Sequence, residues 1–435
     1  MNVTEVDRAF SLRAKGDAEG ALRAAIAVLE ADPGQLGAVA ILAAGVAQAG
    51  RKPKSVEALR RLVGAFVRRG DLGSAVTAAK FLEAAGAPAR AELRAIATAF
   101  GKGSPRLADV SAAPPAMPTR ATVVGPLASL AGAPLLERAE AALASFLGSP
   151  DPVPEGSKLP ALPLFASLAP PLLEQLFGAM TVREVADGEA VVRVGDEGDA
   201  AFLLVRGLAE VRKPEGHEER VIAQLGPGAL FGEMALVTSA PRAATVAALH
   251  PLVVLVMARD ALEALATKEP AIGRELGSFG RGRMIANLLR HGTLLGAVAP
   301  EARAELVTHF QTRSYEAGDV IVQEGQEPSG LFLVASGEVA VDRLDPDGDR
   351  LRLATLGPGE VVGEISLVLR RPANATVTAL HPTIALHLDR EEFQRVIKQH
   401  PALLAELYDI ATRRDEETRS IVAQEAADAG EVVLL

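Results

Sequence analysis

From Val3 to about Phe100, apolar residues recur at three- and four-residue spacing, the period of helices that bury one face. The runs break at Gly16-Asp17, Asp32-Pro33-Gly34, Gly50, Gly70-Asp71 and Gly86, so short antiparallel helices are predicted over residues 1–104. Between 105 and 158 the periodicity lapses into Pro, Ala, Gly and Ser, with Ala113-Pro114-Pro115 and Ser149-Pro150-Asp151-Pro152 as extended pieces. That is a linker, interrupted by one predicted helix within Pro126–Leu147, where Leu135, Leu136 and Leu143 keep helical spacing. Beyond Leu159 the pattern becomes short Val/Leu-rich runs punctuated by Gly and Pro, which predicts a β-sandwich or barrel.

The strand pattern occurs twice. Gly188, Gly195 and Gly207 recur as Gly318, Gly325 and Gly337 at an interval of 130, and Leu225-Gly226-Pro227-Gly228 recurs as Leu356-Gly357-Pro358-Gly359 at 131. An internal duplication follows, with copies at 159–290 and 291–423, each ending in a helical stretch (Ala261 to Leu289, then Glu391 to about Ala423), and an acidic tail at 424–435. In the helical region Gly16 and Gly50 stand 34 residues apart, and Ala21, Ala25 and Pro33 resemble the spacing of a tetratricopeptide repeat. Gly70-Asp71 with Ala75 repeats Gly16-Asp17 with Ala21 at 54 instead, so TPR-like hairpins are expected rather than a regular array.

Composition narrows the chemistry. Apolar residues form 49% of the 435-residue chain but aromatics only 3%, with no Trp, so the cores must rest on Ala, Leu and Val. The absence of Cys excludes disulfides, iron–sulfur clusters, thiolate zinc sites and thiol nucleophiles. A net charge of -10 disfavours general binding to a phosphate backbone. That charge is uneven: residues 1–105 hold 15 Lys/Arg against 10 Asp/Glu, so the remainder is strongly acidic. Arg51, Lys52, Lys54, Arg60, Arg61, Arg68 and Arg69 crowd one predicted helix, either as a solvated face or as a docking surface for an acidic partner or the acidic half of this chain. Met1–Asp7 has no basic cluster leading into an apolar run, and the uncharged Gln35–Gly50 stretch is too short to span a bilayer, so a cytoplasmic protein without membrane contact is expected.

The most informative segment is Phe231-Gly232-Glu233-Met234-Ala235-Leu236, followed by Pro241-Arg242-Ala243-Ala244-Thr245-Val246. Gly232 permits close backbone approach, a helical turn opening at Glu233 and Met234 presents free N–H groups, and Arg242 arrives from the next strand to clamp the same negative charge. A carboxylate beside an anion site needs its own purpose, and accepting a hydrogen bond from a sugar hydroxyl supplies one. Phosphate plus ribose means a nucleotide.

These residues resemble the phosphate-binding cassette of cyclic nucleotide-binding domains, the family of kinase regulatory subunits, gated channels and bacterial catabolite activators. The resemblance covers roughly 159–423 in two copies. Together with the helical region, this makes the expected fold multidomain α and β: N-terminal α-helical TPR-like hairpins followed by two β jelly-roll domains with flanking helices. The resemblance also implies that Glu233 holds the ribose 2′-hydroxyl, Arg242 the cyclic phosphate, and the amides around Met234, Ala235 and Ala243 the remaining oxygens. In this family a Thr or Ser at the position of Ala243 often serves guanine, so cAMP is favoured over cGMP. The second copy, Val362-Gly363-Glu364-Ile365-Ser366-Leu367, keeps Gly363 and Glu364 but has Ala373 for Arg242 and Asn374 for Ala243. This second site is degenerate; Arg370 and Arg371 lie just before Pro372, in the loop rather than the strand, and would have to rebuild the clamp.

With aromatics scarce, the base needs an aliphatic cover, for which Met284, Leu288 and Leu289 stand at helical spacing after the first copy. His250-Pro251 and His381-Pro382 occupy equivalent turn positions, and no His-x-His pair appears, so neither a metal nor a cofactor is expected. The reading is of a non-enzymatic bacterial cAMP sensor that signals to an unidentified protein partner through its helical domain. No DNA-binding module is expected after the last helix, and oligomeric state stays open. A ligand-independent scaffold and a regulatory subunit of a catalytic partner remain alternatives, although the linker shows no Arg-Arg-x-Ser/Ala pseudosubstrate.

Overall fold

The computed structural model describes residues 4–108, 129–150, 159–215, 218–236, 241–291, 298–299, 303, 305–306, 308–344 and 350–432. More than half of the linker, including all of Ala113-Pro114-Pro115 and the second half of Ser149-Pro150-Asp151-Pro152, and the spacer 237–240 lie outside this set. The chain divides into two compact units, one running to Leu236 and resuming over Arg242–Gly277, the other built from Ser278 onward.

In the first unit six helices come first: α1 (Glu5–Ala14), α2 (Ala18–Ala31), α3 (Leu36–Gln48), α4 (Lys52–Arg69), α5 (Leu72–Ala84) and α6 (Arg90–Phe100). Their boundaries follow local chemistry. Thr4 and Asp7 form a capping box on α1, and the Asp17 and Asp71 carboxylates accept from the Gly20 and Ser74 amides. Gly70 ends α4 in the left-handed region at φ 82°, where a side chain would be strained. Helix α3 is apolar all round and buried on nearly every residue, which explains an uncharged stretch that no membrane requires. Among the described residues, no helix is long and apolar enough to cross a bilayer.

The linker helix α7 (Gly132–Gly148) packs on α2, α3 and α4 and answers the question of the basic face. Arg51 pairs with Glu140 at 2.8 Å, while Arg61 donates to the carbonyls of Leu147 and Ser149 and lies over the Phe146 ring, 4.8 Å from its centre. A guanidinium therefore satisfies the orphan carbonyls at the negative end of α7. Part of the face is thus a docking surface for this chain's own helix.

Helices α8 (Pro163–Ser167) and α9 (Pro170–Ala179) lead into an eight-stranded sandwich: β1 (Thr181–Val185), β2 (Ala190–Val192), β3 (Ala200–Arg206), β4 (Ala209–Glu215), β5 (Glu218–Leu225), β6 (Leu230–Phe231), β7 (Thr245–Ala248) and β8 (Leu252–Ala258). All pairings are antiparallel, in sheets ordered β1-β8-β3-β6 and β2-β7-β4-β5. The two inner faces enclose Val185, Val191, Phe202, Leu204, Phe231, Val246 and Val254. Helices α10 (Arg259–Lys268) and α11 (Pro270–His291) follow.

The helical domain docks on this sandwich. Arg206 at the end of β3 reaches Asp7 at 2.6 Å and lies 4.7 Å from the Phe10 ring centre, Arg13 meets Glu184 at 2.8 Å, and Ser11 and Lys15 converge on Asp187 at 2.5 and 2.9 Å. Gly73 of α5 approaches β3 so closely that an added Cβ would lie 3.1 Å from Val205 Cγ2.

The second unit repeats the sandwich with β9 (Gln311–Tyr315), β10 (Val320–Val322), β11 (Gly330–Ser336), β12 (Val339–Leu344), β13 (Arg350–Leu356), β14 (Val361–Val362), β15 (Thr376–Ala379) and β16 (Thr383–Asp389). Its sheets run β14-β11-β16-β9 and β10-β15-β12-β13, the order of the first copy strand for strand. The repeated glycines share a cause: Gly188, Gly195, Gly207, Gly228 and Gly232 and their counterparts Gly318, Gly325, Gly337, Gly359 and Gly363 all have positive φ. The helices α12 (Glu364–Leu369), α13 (Arg390–Gln399) and α14 (Pro401–Val432) accompany these strands. Helix α14 continues through most of the stretch expected as a tail, although side chains from 424 onward lie outside the described residues.

Candidate functional site

The first cassette assembles at the mouth of the β3–β6–β8 sheet. Gly232 closes β6 at φ 66°, in contact with β3: an added Cβ would fall 3.1 Å from the Ala200 carbonyl oxygen and 2.8 Å from Arg242 Nη1. A single 3-10 turn, Glu233–Leu236, follows, placing Met234 and the backbone of Ala235 beside Glu233. Glu233 and Arg242 are both buried, at 6% and 7% exposure, in a protein interior where ionisable groups are rarely found without purpose.

Arg242 is positioned from three sides. Its Nη2 donates to Asp199 Oδ1 at 3.0 Å, its Nη1 donates to the Gly232 carbonyl at 3.3 Å, and its guanidinium carbon lies 5.5 Å from the Phe202 ring centre. Its backbone is held as well, with Arg242 N–H donating to Asp196 O and the Gly195 N–H donating to Arg242 O. Among the described residues the buried Nε has no hydrogen-bond partner. Burial pushes the guanidinium below its ordinary value and the Asp199 carboxylate opposes that shift, so the site holds a desolvated cation with an unused donor. Such a group gains most from an anionic acceptor.

Asp199 and Phe202 were not among the residues expected from the motif. Both belong to β3 or its approach, and only the sheet register, with Phe202 opposite Phe231 and Val256, brings them under the clamp. Ala243 is exposed beside Arg242, and Thr245 is buried with its hydroxyl accepting from Val194 N–H and donating to Glu219. Met284 and Leu288 are buried on α11, while the side chain of Leu289 lies outside the described residues. Among the described residues no group of three or more His, Asp or Glu side chains could hold a metal ion.

The second cassette has the same backbone and different chemistry. Gly363 has φ 86°, and an added Cβ there would meet the Gly330 carbonyl at 2.7 Å, as its counterpart meets that of Ala200. Ala373 replaces Arg242, Ser329 stands at the position of Asp199, and Asn374 replaces Ala243. Phe332, the counterpart of Phe202, stacks on the His387 imidazole with centroids 4.4 Å apart, and Ser329 Oγ lies 3.2 Å from His387 Nε2. Burial, then Arg313, holds His387 below its ordinary pKa, so a neutral ring replaces a fixed cation. Of the loop arginines, Arg371 pairs with Asp415 of α14, and Arg370 is exposed, with its backbone in the left-handed region at φ 54°.

Comparison with known proteins bears on the two sandwiches. The cyclic nucleotide-binding domain family matches residues 182–269 and 312–400. The type II regulatory subunit of cAMP-dependent protein kinase from Drosophila melanogaster is 31% identical over 235 residues, covering 54% of this chain and 59% of its own length. A regulatory subunit from Yarrowia lipolytica is 29% identical, covering 54% of this chain and 58% of its own. The chain thus spans less than two thirds of these eukaryotic relatives. Among solved structures, the regulatory domain of Toxoplasma gondii PKA with cAMP is 25% identical, covers 58% of this chain and 92% of its own, and has a TM-score of 0.28. Sequence duplication, sandwich topology and both family matches coincide: the chain carries two cyclic nucleotide-binding domains in tandem, with a helical domain preceding the pair.

Proposed function

We propose that this protein is a non-enzymatic cytoplasmic sensor that binds cAMP at one site per chain, in the first jelly roll, and reports it through protein–protein contact. The observation that carries the reading is Arg242: buried, charged, and with an Nε donor that no group among the described residues accepts. A cyclic phosphate offers the missing acceptor, the Met234, Ala235 and Ala243 amides offer further donors, and the buried Glu233 carboxylate offers an acceptor for the ribose 2′-hydroxyl.

A second reading, a regulatory subunit that restrains a catalytic kinase, is favoured by the names of the relatives, both regulatory subunits of cAMP-dependent protein kinase. It shares the same sensor and differs in the partner met by the helical domain. Calorimetric titration of the full chain with cAMP tests the common core: one site per chain, lost in Arg242→Ala, is the expected result. Two equivalent sites, or none, would overturn it.

A further inference from the structure

The second cassette keeps its carboxylate, and that carboxylate is already in use. Glu364, 3% exposed at the first turn of α12, receives Arg414 Nη1 from α14 at 3.0 Å. The same guanidinium donates to the Val361 carbonyl at 2.5 Å and pairs with Glu360 at 3.3 Å. One residue further along α14, Asp415 takes Arg371 and is also paired with Arg419 at 2.9 Å. Leu403, Leu407, Ile410, Ala411 and Thr418 are buried along the stripe that carries Arg414, so the helix is seated by apolar burial as well as by charge.

We propose that the second jelly roll is a self-liganded domain: its cassette is occupied by the chain's own C-terminal helix through Arg414 on Glu364 and Asp415 on Arg371, and it clamps that helix without taking a cyclic nucleotide. Each element of a nucleotide site is accounted for differently here. The phosphate cation is gone at Ala373, the neighbourhood of Phe332 is filled by His387, and the ribose acceptor is neutralised from within. A ribose hydroxyl would have to reach a carboxylate that is 3% exposed and already held in a charge-assisted pair, offering only a neutral hydrogen bond in return. Burial drives Glu364 upward and Arg414 opposes it, consistent with a carboxylate that depends on this one helix. The inference stands apart from the ligand assigned to the first domain.

The test uses the full chain and reads amide hydrogen exchange over 360–369 and 405–420. Breaking a buried pair leaves an uncompensated charge, so Arg414→Met should speed exchange in both segments by roughly a hundredfold. Glu364→Gln combined with Arg414→Met removes both charges and should return exchange to within about tenfold of wild type; it also serves if the single variant does not fold. In Arg242→Ala chains, millimolar cAMP should give neither heat nor altered exchange over 405–420. Wild-type exchange in Arg414→Met, or cAMP-dependent exchange over 405–420 in Arg242→Ala, would overturn the proposal. Failure of wild-type protein to bind cAMP would count against the first site alone, since the exchange comparison between charge variants contains no ligand.

Discussion

Arg242 and Asp199 form an unequal pair: the guanidinium is 6% exposed and the carboxylate opposite it 76%. The buried partner carries the cost of desolvation, while the exposed one is screened by water and free to yield. Arg242→Ala should therefore weaken cAMP binding at least about a hundredfold, because it removes the buried cation that the proposed function places on the phosphate. Asp199→Asn should shift affinity by less than about tenfold. Calorimetry on both variants checks the ranking, and the reverse order would move the clamp to the carboxylate.

Gly232 is required by both its dihedral and its surroundings. Gly232→Ala would hold a side chain at φ 66°, costing roughly 1–2 kcal/mol, and would drive a methyl to 2.8 Å from Arg242 Nη1. Gly226, which has nothing within 4 Å of an added Cβ, is the control. The expected outcome is lowered thermal stability and cAMP affinity for Gly232→Ala, with Gly226→Ala close to wild type in both.

Much of this was legible in the sequence because glycine and charge patterns map onto backbone necessities. Gly188 and Gly318, or Gly232 and Gly363, repeat because each turn demands positive φ, and Glu233 and Arg242 announce themselves as charges inside apolar runs. What the sequence hid are partners fixed only by tertiary packing. Asp199 reaches Arg242 across 43 residues, Asp7 reaches Arg206 across 199, and Arg414 reaches Glu364 across 50. Arg371 was legible as a cation near the second cassette, but its direction was not, since Asp415 on a helix 44 residues later decides it.

That direction gives a prediction of its own. Arg371→Ala should leave cAMP affinity within about twofold of wild type, as its guanidinium is committed to Asp415 rather than to a ligand. Its effect should appear as faster hydrogen exchange along α14. A large loss of cAMP binding would reassign the functional cassette.

Docking of α1 on the first sandwich should be sensitive to acid. Hydrogen bonds from Ser11 and Lys15 hold Asp187 down at about 2. Burial pushes Asp7 up, but Arg206 and Thr4 outweigh it and leave it lowered. A carboxylate with a folded pKa below its unfolded value of about 3.9 contributes stability that is complete above that pH and disappears as pH falls through the folded value. The contact should be unchanged from pH 7 to about 4 and weaken between about 4 and 2. An NMR titration of the Asp187 carboxylate checks this, and a midpoint near 4 would refute it.

Base selectivity turns on a hydroxyl that is missing. Ala243 is exposed next to the clamp and offers no side-chain donor to a guanine, while the hydroxyl of Thr245 on the following strand is buried and already shared between Val194 and Glu219. Adenine requires neither, so cAMP should bind more tightly than cGMP. Ala243→Thr adds one hydroxyl at an exposed position without disturbing the Arg242 contacts, and a neutral hydrogen bond contributes about 0.5–1.5 kcal/mol. The variant should therefore gain up to roughly tenfold in cGMP affinity while its cAMP affinity changes little. Competition of the two nucleotides for the single site measures this directly. Equal gains for both would show that residue 243 contacts the sugar-phosphate rather than the base.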